Sequence, residues 1–141
     1  MQAMIDGELV TLTADQEAEL LPPVAPAPTK KQLSDYAAQV RFMKETSGVA
    51  WRDGLVIQTD RDSQSKMIAE FVSIGAGLRI EPSPWKFADN KFASLSNADM
   101  ADVCTTSRNW VASAFSSENT VQAQIAAGTF TTFAQIDTAF S

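Results

Sequence analysis

Apolar residues recur along this chain in short blocks whose period switches between two and about 3.6. Leu33, Tyr36, Ala37, Val40 and Met43 or Lys44 follow Thr29-Lys30-Lys31-Gln32 at helical spacing. That tetrapeptide fits a capping box, in which the threonine accepts from the third helical N–H and the glutamine reaches back to the cap. Gly48 is expected to stop the helix. Val49-Ala50-Trp51-Arg52-Asp53-Gly54-Leu55-Val56-Ile57-Gln58 then reads as a hairpin, because Asp-Gly tolerates positive φ at both central turn positions. A plain two-residue turn would set Trp51 opposite Val56 and Ala50 opposite Ile57. Thr59 or Asp60 caps the next helix, whose expected buried stripe is Met67, Ile68, Phe71 and Val72, with Gly75 and Gly77 ending it.

Trp85-Lys86-Phe87-Ala88-Asp89-Asn90-Lys91-Phe92-Ala93-Ser94 reads as a further hairpin, turning at Asp89-Asn90 and pairing Phe87 with Phe92 beside Trp85. Ser96-Asn97-Ala98-Asp99 opens the longest helix, with an apolar stripe through Met100, Val103, Cys104, Ser107, Trp110 or Val111, Ala114 and Phe115. A break is expected near 116–119, before Val121 and Ile125. Gly128 closes it. Thr132-Phe133-Ala134-Gln135 is another capping box, opening a short terminal helix. The expected fold class is α+β: helix, β-hairpin, helix, β-hairpin and long helix packed around a small antiparallel sheet. Internal repeats are expected to be absent, although helix, hairpin, helix, hairpin and helix is a loosely repeating layout.

The first residues form a separate unit. Asp6-Gly7 predicts a short hairpin between Met4-Ile5 and Leu9-Val10. Thr13-Ala14-Asp15-Gln16 fits a capping box for a helix to about Leu21. Pro22-Pro23-Val24-Ala25-Pro26-Ala27-Pro28 excludes helix and central strand and predicts an extended spacer. The expected division is an N-terminal arm over residues 1–21, a linker over 22–29 and a globular α+β domain over 30–141. An isolated two-stranded hairpin is marginal in water. The arm is therefore expected to bind a partner, through Met4, Ile5, Leu9, Val10, Leu20 and Leu21.

Composition narrows the chemistry. The 141 residues carry a net charge of −6 and no histidine. Histidine is the commonest general base and a usual zinc ligand, so its absence removes Ser-His and His-metal schemes. Lys30-Lys31 is the only basic pair, which argues against nucleic acid and anionic membrane as partners. No apolar run approaches the ~20 residues of a membrane span. The N-terminal residues lack the pattern of a signal peptide, so synthesis in the cytoplasm is expected. Cys104 is the only cysteine and is expected to be a small core residue.

Asp60-Arg61-Asp62-Ser63-Gln64 opens like a calcium loop, but the glycine and glutamate positions hold Ser65 and Phe71. Gly75-Ala76-Gly77 lacks the strand before it and the helix after it that a dinucleotide site needs. Glu70 and Glu81, with Asp89 or Asp99, could supply paired carboxylates for glycoside hydrolysis, yet their spacing marks no pair. Trp51, Trp85 and Trp110 could offer a stacking platform but sit on expected inward faces. No catalytic, cofactor or metal residue is assigned, and an enzyme is not expected.

Residues 51–64 fit W-x-x-G-x-x-I-x-T-D-x-x-S-Q, and the second aromatic-started hairpin turns at Ala88-Asp89-Asn90. Together these resemble an uncharacterised phage-associated domain found in small proteins encoded near tail-fibre genes. The resemblance covers residues 30–138. It departs in the loop 75–84, which carries two prolines, and in a Ser/Thr-rich final helix. It implies a non-enzymatic virion component of the tail fibre or baseplate, bound to other tail proteins or to further copies of itself. The alternatives are a fibre assembly chaperone absent from the mature virion and a receptor- or glycan-binding tip. It implies no catalytic residues and no cofactor.

Overall fold

The computed structural model describes residues 2–5, 8–11, 13–16 and 25–141. Strands β1 (Gln2–Ile5) and β2 (Glu8–Thr11) pair antiparallel, with Met4 opposite Leu9 and Ile5 opposite Glu8. The expected turn at Asp6-Gly7, the helix end at Leu20-Leu21 and the prolines 22 and 23 lie outside the described residues. Thr13 and Gln16 exchange the two hydrogen bonds of the expected capping box, at 3.0 and 3.3 Å.

Helix α1 (Lys30–Glu45) starts on the Thr29–Gln32 capping box. The hairpin of β3 (Val49–Ala50) and β4 (Val56–Ile57) leads to α2 (Arg61–Gly75), capped by Asp60. The hairpin of β5 (Ser83–Lys86) and β6 (Phe92–Leu95) leads to α3 (Asn97–Ala126), capped by Ser96. Helix α4 (Phe133–Phe140) starts on the Thr132–Gln135 capping box. The architecture is α+β, with each hairpin a separate two-stranded ladder.

At 30 residues, α3 is about 45 Å long and forms one wall of both apolar clusters. Its first half joins Ile57, Met67, Phe87 and Leu95 through Met100 and Val103. Its second half joins Leu33 and Ala37 of α1 with Ile136 and Phe140 of α4, through Val121 and Ile125. The expected break near 116–119 does not occur. No glycine or proline interrupts that stretch, Thr120 bonds back to the Ser116 carbonyl, and Glu118 is held by Arg41 at 2.9 Å.

Both hairpins correct the expected register by one residue. Asp53 and Gly54 have φ of 57° and 71°, as the mirror-image turn requires. The Leu55 N–H donates to the Arg52 carbonyl across that turn, and the Trp51 N–H donates to the Leu55 carbonyl. Trp51 and Arg52 therefore both oppose Leu55, and Ala50 pairs with Val56 instead of Ile57. The second hairpin repeats this bulge. Phe87 donates to Lys91, Lys91 donates to Ala88, and Lys86 pairs with Phe92. One inserted residue moves an aromatic to the other face. Phe87 is thus fully buried while Phe92, its expected partner, is exposed. The two bulge aromatics instead stack on each other, Trp51 on Phe87, at 5.5 Å and 12°.

Candidate interaction surface

Thr59 and Gln64 of the 59–64 stretch are turned toward the fold, while Asp60, Arg61 and Asp62 are exposed. Thr59 is buried, and its hydroxyl accepts the Gly48 N–H at 2.9 Å, closing the base of the first hairpin. Asp60 accepts the Ser63 N–H at 3.1 Å and its hydroxyl at 2.5 Å; that hydroxyl chiefly holds the carboxylate below its usual range. The Gln64 amide donates to the Thr59 carbonyl at 2.8 Å and to Glu45 at 3.2 Å. Glu45 is 2% exposed and takes further bonds from Arg41 at 2.6 Å and Arg61 at 3.4 Å. Burial alone would lift its pKa. The hydrogen bonds from Gln64 and Arg41 and the charges of both arginines outweigh that and hold it low. The stretch is therefore a knot that ties the end of α1 to the start of α2. None of its acids gathers with others as metal ligands do, among the described residues.

Three of the carboxylates singled out for hydrolysis are bonded to neighbouring groups, and the fourth sits in a turn. Glu70 binds Arg79 at 2.7 Å; Arg79 also donates to the Leu95 carbonyl and to Asn97. Glu81 accepts the Asn97 N–H at the start of α3. Asp99 pairs with Arg52 at 2.9 Å, and Asp89 forms the second turn with φ of 58°. The tryptophans are likewise engaged at their polar ends or in a cluster. Trp51 donates to Asp102 at 2.8 Å, Trp110 donates to the Lys44 carbonyl at 2.9 Å, and Trp85 packs on the first-half cluster. No buried side-chain nitrogen or oxygen lacks a partner among the described residues.

Apolar groups behave differently. Of the expected α2 stripe only Met67 is buried, while Ile68, Phe71 and Val72 are 66%, 56% and 62% exposed. The stripe is wider than its support: α3 covers the Met67 and Ile74 side and leaves the neighbouring face to solvent. Leu78 and Ile80 extend the exposed set beyond the helix end. Between α2 and α3 runs an open groove of about 670 Å³, lined by Met67, Ile68, Phe71, Cys104, Arg108 and Val111 among others. Cys104 is partly buried, lying on the groove wall and packed against the first-half cluster. Its thiol donates to the Met67 carbonyl, and burial pushes its pKa up to about 11, so it is a poor nucleophile at neutral pH.

Of the arm residues singled out from the sequence, Met4, Ile5, Leu9 and Val10 lie on β1 and β2. Leu20 and Leu21 lie outside the described residues. The α2 face was missed because helical spacing of apolar residues reads as burial. The signal that marks it is stripe width: Ile68, Phe71 and Val72 add to Met67 and Ile74 more apolar arc than one neighbouring helix covers.

The fold is a small α+β module in which Ile68, Phe71 and Val72 of α2 are exposed. The chain belongs to the family described as "Domain of unknown function (DUF4376)", whose model matches residues 28–140. No curated protein and no solved structure matches it.

Proposed function

We propose that this chain is a non-enzymatic bacteriophage tail protein, a structural or accessory component of the tail fibre or baseplate. It binds neighbouring tail proteins through its N-terminal arm, with Met4, Ile5, Leu9, Val10, Leu20 and Leu21 as contact residues. The observation that carries the interaction role is the exposure of the apolar residues Ile68, Phe71, Val72, Leu78 and Ile80 on a fold with no unpartnered buried side-chain nitrogen or oxygen among its described residues. Large exposed apolar patches on soluble proteins commonly mark interaction sites. The tail setting is supported by the resemblance carried by residues 51–64 and by the Ala88-Asp89-Asn90 turn.

Quantitative mass spectrometry of purified particles tests the reading. A tail component appears in fixed proportion to the fibre or baseplate proteins. Binding to fibre protein in infected cells with absence from particles would make it an assembly chaperone instead. Absence from both would end the tail assignment.

A further inference from the structure

We infer that the groove between α2 and α3 receives the chain's own acidic N-terminal segment, folded back along α3. The first ground is charge. Residues 1–28 hold Asp6, Glu8, Asp15, Glu17 and Glu19 and no lysine or arginine. Residues 29–141 are nearly balanced, with 12 acids against 11 bases. The segment therefore accounts for almost all of the net charge of −6. The groove is apolar, and Arg108 is the only charged residue on its wall. Arg108 forms no ion pair among the described residues; its one side-chain hydrogen bond there is to Asn109, at 3.3 Å.

The second ground is pattern. Within residues 13–21, Ala14, Ala18 and Leu21 fall on one helical face, with Asp15, Glu17 and Glu19 off it. An amphipathic helix in an apolar groove with a basic residue on its wall is a common mode of recognition.

The third ground is reach. Lys30 donates to the Ala126 carbonyl at 2.9 Å, which fixes the start of α1 beside the end of α3. The near end of the groove, Ala112, lies about 21 Å back along α3 at the helical rise. Residues 22–28 in extended proline-rich form span about 22 Å. The linker thus sets residues 13–21 against the stretch of α3 that lines the groove. In the structure residues 13–16 are exposed, so the inference concerns a docked state in addition to the one described. It rests on the reading of the arm as the binding element, and it means that a partner must displace the arm from the groove.

The test uses the full chain with Cys104→Ser and a nitroxide label on Gln16→Cys. The expected result is loss of amide NMR signal at Ile68, Phe71 and Val111, with the Leu33 and Ile136 signals retained. Arg108→Glu should abolish the loss, and adding Glu17→Lys with Glu19→Lys should restore it. Mixing labelled chain with isotope-enriched unlabelled chain should give no loss. Uniform or absent broadening, survival through Arg108→Glu, or loss in the mixed sample would each overturn the inference; the last would mean insertion into a second copy. The particle census above is independent of all these outcomes, so either idea can fail alone.

Discussion

The two hairpin-and-helix units follow one plan with different chemistry. Trp51 and Phe87 begin the bulges, Asp53 and Asp89 open the turns, and Asp60 and Ser96 cap the helices; each pair is 36 positions apart. Thr59 and Leu95, directly before the caps, are both buried, as are Met67 and Val103 about two turns into the helices. Between 49–75 and 85–111 only Asp53 and Asp89 are identical at that offset. Backbone geometry is thus shared while anchoring differs. Both units enter one apolar cluster, the first through Ile57 and Met67 and the second through Phe87 and Leu95; the first is held in addition by the polar knot of Thr59, Gln64 and Glu45. A bulge, a turn and a cap recur in both units, with a polar anchor added only in the first.

The stacked pair gives the largest expected asymmetry. Phe87 is fully buried, so Phe87→Ala should cost about 3–5 kcal/mol through lost burial and a residual cavity. Trp51 is only partly buried, stacked on Phe87 and covered by the Arg52 guanidinium at 4.1 Å. Trp51→Ala should cost about 1–3 kcal/mol, from stacking, partial burial and the bond to Asp102. Urea unfolding followed by helical circular dichroism compares them. Equal costs would mean that the two bulges share their load and that the distinction between polar and apolar anchoring is wrong.

The anchors should also separate by pH. Glu45 has a folded pKa below its unfolded value, so its contribution is complete above the ordinary glutamate value of about 4.3 and is lost as pH falls from there through the lower folded pKa. Asp60, held low by the Ser63 hydroxyl, acts in the same direction. The denaturation midpoint should fall below about pH 4.5. Glu45→Gln should cost about 1–3 kcal/mol at neutral pH and flatten that fall. Leu95→Val, at the position equivalent to Thr59, should lower stability by a similar amount at all pH values and leave the slope unchanged. A slope altered by Leu95→Val would show that the apolar anchor is coupled to the knot.

Short-range chemistry was legible in the sequence. Thr29, Asp60, Ser96 and Thr132 cap helices as their side chains and spacing require, and Asp53-Gly54 and Asp89-Asn90 turn as their tolerance of positive φ requires. What depended on distant partners was not. The one-residue bulges follow from the Trp51–Phe87 stack, and no local pattern around either aromatic announces it. The continuity of α3 past 116–119 depends on Arg41 reaching Glu118 from another helix. Ile68, Phe71 and Val72 have the spacing of a core stripe, and only the placement of α3 leaves them outside. The repeat was hidden for the same reason: equivalent positions conserve backbone shape and burial, which Thr59 and Leu95 satisfy with unrelated side chains.

The turns supply the smallest effect and the most direct comparison of backbone with side chain. Gly54 has φ of 71°, and a Cβ placed there meets nothing within 4 Å, so Gly54→Ala should cost only the left-handed conformation, about 1 kcal/mol. Asn90 holds the equivalent place with φ of 56°, and asparagine tolerates that region. Asn90→Gly should therefore change stability by no more than about 0.5 kcal/mol, since relief of residual strain offsets the added freedom of the unfolded chain. Amide exchange at Leu55 and Lys91, the residues that close the two turns, reads each locally. If Gly54→Asn exchanges like the native chain, the two turns are interchangeable. If it exchanges like Gly54→Ala, the first turn is strained by the knot beneath it, and the shared geometry is maintained differently in the two units.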